Sequence, residues 1–143
     1  MDKVFNYKGR IYINDKVTSV FRSSNLKEEY SFGVWLNRTF NEDVKMLPEI
    51  IKPKYVQTPD YLFKGEYWDL KTVKVKGKNF MYRSIKNKVE QSNNFMFDLS
   101  NIDIHKDEIT IHLKEVFTNE NTSFIKKILV KTKDGKYKIL KRK

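Results

Sequence analysis

Thr58-Pro59-Asp60-Tyr61-Leu62-Phe63-Lys64-Gly65-Glu66-Tyr67-Trp68-Asp69-Leu70-Lys71 is the stretch whose reading decides the fold. It reads as a strand opening at Asp60, a tight turn at Lys64-Gly65, and a returning strand with Asp69 and Lys71. Side chains alternate along a strand, so Asp69 and Lys71 share a face while Leu70 points into the core. Two carboxylates and one ammonium thereby meet at one point. Paired carboxylates hold a hard divalent cation through oxygen, and a lysine beside them orients or helps deprotonate a water. That is the equipment of metal-assisted phosphodiester hydrolysis, with Mg²⁺ or Mn²⁺ as the expected cofactor. Asp69 stands between Trp68 and Leu70, where an aspartate is disfavoured unless it has a task. Lys71 is singled out by register alone, since Lys74 and Lys76 lack that constraint and are expected to touch phosphate or solvent.

Upstream of this hairpin, Val4-Phe5-Asn6-Tyr7 and Arg10-Ile11-Tyr12-Ile13 flank Lys8-Gly9 and read as an N-terminal hairpin. Asn25 reads as a helix N-cap, with Glu28 completing a capping box. The helix runs to about Phe40 on a stripe of Leu26, Phe32, Gly33, Leu36 and Phe40, and Asn41-Glu42-Asp43 ends it. Gly33 would let this helix lie close to the sheet. Val44 to Leu47 reads as a strand, Pro48 and Pro53 punctuate the connection after it, and Tyr55-Val56-Gln57 leads into the motif.

Downstream, Lys74 to Lys78 is a basic loop and Phe80 to Ser92 a second helix with Ile85 and Val89 buried. Phe95 to Leu99 is a buried strand. From Asp107 to Phe117 both periods are present: Ile109, Ile111 and Leu113 alternate, whereas Ile109, Leu113 and Val116 fit a helix, which is the preferred reading. A C-terminal hairpin joins Phe124–Val130 to Tyr137–Leu140 through Lys133-Asp134-Gly135.

The chain has 143 residues, 39% of them hydrophobic and 14% aromatic, enough for one folded domain spanning 1–143 with its motif core at about 25–100. No apolar run is long enough to cross a bilayer, and Met1-Asp2-Lys3 leads straight into a strand, so no leader is expected. Without cysteine there is no disulfide and no thiolate zinc site. His105 and His112 lack zinc-ligand spacing. The net charge of +11 suits a polyanionic partner. That charge comes mostly from Lys, in a chain rich in Asn and without Ala, so base composition of the genome accounts for part of it.

The order Pro59-Asp60-Tyr61, Gly65, Asp69-Leu70-Lys71, a helix carrying Gln91, then Phe95-Met96-Phe97-Asp98-Leu99-Ser100 resembles the PD-(D/E)xK nuclease superfamily. It is most similar to the C-terminal tRNase domain of contact-dependent inhibition toxins of CdiA type, relatives of which also occur in phage and mobile-element proteins. The resemblance implies an α/β fold: a single-domain restriction-endonuclease-like core, a mixed central sheet flanked by helices, with hairpins at both ends. It also implies a third acid from the helix before the motif. The helical wheel prefers Glu29 over Glu28, because Phe32, Gly33, Leu36 and Phe40 follow Glu29 on the buried stripe. The metal is then expected on Asp60, Asp69 and the Leu70 carbonyl, with Glu29 directly or through water. Gln91 takes the position of a polar residue that holds phosphate or water, and Lys74, Lys76, Lys78 and Lys88 hold the substrate backbone.

By resemblance the substrate is tRNA, the site of action the bacterial cytoplasm, and the partner an immunity protein with an acidic surface. Delivery is expected as part of a larger secreted toxin, or the chain is encoded by a phage or mobile element. Alternatives of the same fold are a DNA endonuclease or a non-catalytic nucleic-acid-binding module. A metal-free ribonuclease using one of the two histidines is a further one.

Overall fold

Phe32, Gly33 and Leu36 recur at helical spacing, and in the computed structural model all three are buried on α1 (Ser24–Phe40). The structure describes residues 2–5, 10–13, 24–47, 59–89 and 91–143. The expected turn at Lys8-Gly9, the prolines at 48 and 53 and the lead-in at 55–57 lie outside them. The chain divides into two compact units, Met1–Asp69 and Leu70–Lys143.

In the first unit β1 (Asp2–Phe5) pairs antiparallel with β2 (Arg10–Ile13), the expected N-terminal hairpin. The chain then passes through α1 to β3 (Val44–Met46), which pairs parallel with β2. A parallel neighbour requires such a crossover, since a tight turn cannot return the chain in the same direction. β4 (Tyr61–Phe63) pairs antiparallel with β3, and β5 (Glu66–Thr72) pairs antiparallel with β4.

Asn41 ends α1 in the left-handed region at φ 56°, and its N–H donates to Asn37 O at 3.0 Å. Asn tolerates that conformation better than other side chains. The start of α1 differs from expectation. Ser24 is already helical, so Asn25 lies inside the first turn and is not the cap. Ser23, Ser24 and Asn25 are all capping residue types, so side-chain chemistry alone does not choose among them.

The second unit repeats the crossover. β6 (Asn94–Asp98) and β7 (Lys127–Lys131) are parallel, joined through α3 (Lys106–Thr118) and a 3-10 turn at Glu120–Thr122. Their apolar runs are buried without alternation, as a strand covered on both faces requires. β8 (Tyr137–Lys141) closes an antiparallel hairpin on β7, with Gly135 at φ 82° in the turn. Helix is the right reading of residues 106–118: Ile109, Leu113 and Val116 are buried while Ile111 is 66% exposed. The α/β class, the mixed strand pairings and the terminal hairpins are as expected.

The second helix is shorter than expected. α2 spans only Phe80–Ile85, and Val89 is 55% exposed instead of buried. Between Ile85 and Phe95 the only apolar residue is Val89, so no second buried turn offsets the entropy of extending the helix. β7 also begins later than Phe124, because Ile125 N–H donates to Thr122 O in the preceding turn and Lys126 N–H to Asn93 O.

Arg142 holds the end of α3. Its guanidinium donates to Phe117 O at 3.0 Å, Thr122 O at 3.1 Å and Ile125 O at 2.7 Å, and lies 5.1 Å from the Phe117 ring centre. A planar five-donor fork reaches three carbonyls together, and a lysine does not. Arg142→Lys is expected to lower stability by about 2 kcal/mol, read as the midpoint of urea unfolding. An unchanged midpoint would show that these bonds add nothing.

Gly33 faces Tyr61 and Val44, but a Cβ there would meet Tyr61 Cε1 at 3.5 Å and Val44 Cγ1 at 3.8 Å, ordinary contacts. The close approach therefore leaves room for a methyl group. Gly33→Ala is expected to stabilise by about 0.5–1 kcal/mol, raising the thermal midpoint by a few degrees. A lower midpoint would mean the helix sits too tightly for a side chain.

Candidate functional site

The turn between β4 and β5 is two residues long, with Lys64 at φ 53° and Gly65 at φ 74°. Two successive positive φ values define the hairpin turn whose twist matches its strands. This pairs Phe63 with Glu66 and Tyr61 with Trp68. Lys64 lies 5.2 Å from the Phe40 ring centre and 3.8 Å from a Glu42 oxygen, covering the turn. The Trp68 indole donates to Phe63 O at 3.1 Å, which satisfies its buried N–H.

Asp60 sits at a bend one residue before β4, where its strand was expected to begin. Its N–H donates to Trp68 O at 2.9 Å, and its carbonyl accepts from Leu47 N–H at 2.9 Å. Trp68 is thus opposite two consecutive residues, Asp60 and Tyr61, the geometry of a β-bulge that re-aims a side chain. Asp60 is half-buried. Asp69, the residue after Trp68, is 1% exposed. A strand carboxylate this deep is costly unless charges or donors compensate it.

Glu29 is half-buried on α1, and its carbonyl accepts from the Tyr61 hydroxyl at 2.6 Å. Tyr61 is fully buried, with its ring 6.3 Å from that of Phe32. The turn of α1 bearing Glu29 is therefore tied to the residue next to Asp60. All three expected acids belong to the first unit, and backbone and hydroxyl bonds link the segments that bear them. Among the described residues, no three His, Asp or Glu side chains form a group that could hold a metal ion. A hard cation takes oxygen donors from carboxylates, backbone carbonyls and water, the donor types that Asp60, Asp69, the Leu70 carbonyl and Glu29 would offer.

β5 is unbroken from Glu66 to Thr72, so Asp69 and Lys71 alternate past Leu70 as expected. Lys71 is half-buried and Leu70 buried.

The remaining expected residues belong to the second unit. Gln91 is not on a helix: it lies in a turn, its N–H donating to Lys88 O at 2.9 Å. Lys88 and Gln91 thus share a turn and do not stack on one helical face. In the basic loop Lys74 and Lys78 are exposed. Lys76 is instead held on α3, with Nζ 3.2 Å from a Glu108 oxygen. That bond, with help from the His105 N–H, keeps the Glu108 carboxyl below its usual range.

Both histidines have structural contacts. His105 caps α3, its Nδ1 accepting from Asp107 N–H at 3.1 Å while Glu108 accepts from His105 N–H at 3.4 Å. The His112 ring centre lies 4.4 Å from that of Phe80. What the sequence reading missed is Tyr61, whose hydroxyl positions Glu29. The only signal was an aromatic residue directly after the Pro-Asp pair.

A small, basic α/β protein with an aspartate buried in one strand of a β-hairpin is the class this geometry defines. The family model for the contact-dependent growth inhibition CdiA C-terminal domain matches residues 57–137, and the chain belongs to that family. It is accordingly a toxin domain of contact-dependent inhibition. A chain of the CdiA-CT/CdiI toxin and immunity complex from Burkholderia pseudomallei is similar in structure. The match covers 91% of each chain at 26% identity, with a TM-score of 0.64. No curated protein matches the sequence.

Tyr61→Phe removes one hydroxyl and keeps the ring. It is expected to cost about 1 kcal/mol and to speed amide exchange in the first half of α1. Exchange unchanged there would show that the hydroxyl does not hold that turn.

Proposed function

We propose that this domain is a metal-dependent endoribonuclease of the PD-(D/E)xK type whose substrate is tRNA. The observation that carries the reading is Asp69, a carboxylate buried in a strand beside the bulge at Asp60 and two residues before Lys71. Nothing about strand stability favours an aspartate at that point. Carboxylate and carbonyl oxygens suit Mg²⁺ or Mn²⁺. Asp60, Asp69 and the Leu70 carbonyl would hold the cation, which when bound supplies positive charge to polarise the phosphodiester. Lys71 orients the attacking water, and Glu29 holds a second water against the hairpin. Exposed lysines such as Lys74 and Lys78 attract the backbone.

Membership of the CdiA family supports delivery into a target cell as the end of a larger toxin, with action on cytoplasmic RNA. No helix among the described residues is long and apolar enough to cross a membrane. The similar chain was solved in a toxin and immunity complex. A cognate immunity protein is therefore the expected partner here, and the charge of +11 favours an acidic surface on it.

The test is cleavage of total tRNA and of duplex DNA, in Mg²⁺ and in EDTA, by the wild type, Asp69→Asn and Lys71→Met. Asp69→Asn keeps the buried shape. The wild type is expected to cut tRNA only with metal, and each variant to lose about a hundredfold or more in rate. Cutting that persists in EDTA would overturn the metal mechanism. Preference for DNA would replace the substrate.

A further inference from the structure

In the second unit a groove of about 600 Å³ runs between the start of α3 and the β7–β8 turn. Its floor is apolar: Ile109 and Val130 are buried and Ile104 is half-buried. Lys106, Lys133, Lys136 and Lys138 line it, and Asp134 is the one carboxylate among its lining residues. Tyr137, 48% exposed, is the aromatic residue of the lining. A shallower cleft of about 380 Å³ shares Ile104, His105 and Lys133, so the depression continues past the head of α3 to Asp103.

Several of these side chains are set in place. Lys138 Nζ lies 3.3 Å from Thr110 Oγ1, and Lys133 Nζ lies 2.9 Å from Asp103 Oδ1. Asp134 accepts from the Thr132 hydroxyl and, at 3.3 Å, from Lys136 N–H, and its other oxygen lies 3.9 Å from Lys136 Nζ, an exposed pair that a phosphate could displace.

We propose that this groove is a docking track for single-stranded RNA, separate from the residues assigned to cleavage. The proposal rests on the chain acting on RNA. An extended strand presents a phosphate at every nucleotide and a flat apolar base between phosphates. Lysines along a track with an apolar floor and an exposed tyrosine match both. The main cleft falls within the roughly 300–1,000 Å³ of small-ligand sites, enough for one nucleotide at a time along the track. A folded acidic protein would match the charge as well, and loss of its binding is therefore one of the outcomes of the test.

The test uses Asp69→Asn as background, so that RNA stays intact. Binding of a fluorescein-labelled single-stranded RNA 12-mer is followed by anisotropy at several salt concentrations. Lys106→Gln with Lys136→Gln, and separately Tyr137→Ala, are compared with that background. The double variant is expected to bind about tenfold more weakly, with the log–log salt slope reduced by about 1.4, the value for two lost phosphate contacts on a single strand. Tyr137→Ala is expected to weaken binding about tenfold with the slope unchanged.

Affinity and slope equal to the background in both variants would overturn the proposal, and so would no binding by the background itself. Loss of immunity-protein binding with RNA binding intact would also overturn it, giving the groove to that partner. Failure here with metal-dependent tRNA cutting by the wild type leaves the nuclease reading standing. Groove binding without any cutting does the reverse. Circular dichroism of each variant is the fold control and is expected to match that of the background.

Discussion

A carboxylate buried in the middle of a strand is the constraint around which the first unit is arranged. Asp69 has Trp68 and Leu70 as chain neighbours and almost no contact with solvent. Removing a carboxylate from water costs several kcal/mol even after relaxation, so its surroundings must compensate for that loss. The hairpin that presents it is correspondingly well determined. The turn uses two positive φ angles, the indole of Trp68 closes on Phe63 O, and Asp60 is bonded on one side to Leu47 and on the other to Trp68. Rigid elements hold a reactive constellation better than loops do, because little freedom remains to be lost when substrate binds.

Charge is arranged differently in the second unit. Lys76 is bonded to Glu108 and Lys133 to Asp103, and these carboxyls are held below their ordinary range, in each case chiefly by the lysine hydrogen bond. What such groups add to stability is present above the usual carboxylate range and fades as pH falls through the lowered values. All four side chains are substantially exposed, so screening by water and salt keeps each contribution small. Part of the positive charge thus ties Lys76 to α3 and Lys133 to the segment that precedes it. Lys74, Lys78, Lys106 and Lys136 are exposed, Lys136 with its Nζ 3.9 Å from an Asp134 oxygen.

Arg142 shows how a residue in a basic tail becomes structural. In the sequence it reads as one cation in Lys141-Arg142-Lys143. In the fold it donates to carbonyls of α3, of the 3-10 turn and of the segment entering β7. Only chain reversal through the β7–β8 turn brings it there. The same holds for His105, whose capping role depends on where α3 begins, and for the groove, whose walls are some 30 residues apart in the chain.

Local chemistry was legible from residue order. Lys64-Gly65 specified the turn, and alternation placed Asp69 and Lys71 on one side of β5. The stripe from Phe32 to Leu36 gave α1 its buried face, while for residues 107–117 both periods were present and helix was the preferred reading. These features depend on steric rules and periods that act over a few residues. The end of α2, the bond from Tyr61 to Glu29 and the pairing of Lys76 with Glu108 were decided by tertiary structure. A helix continues only while its next turn finds a surface to bury against, and a polar side chain takes whichever partner the fold brings within about 3 Å. Neither is a property of neighbouring letters, because both depend on which distant segments arrive at the same place.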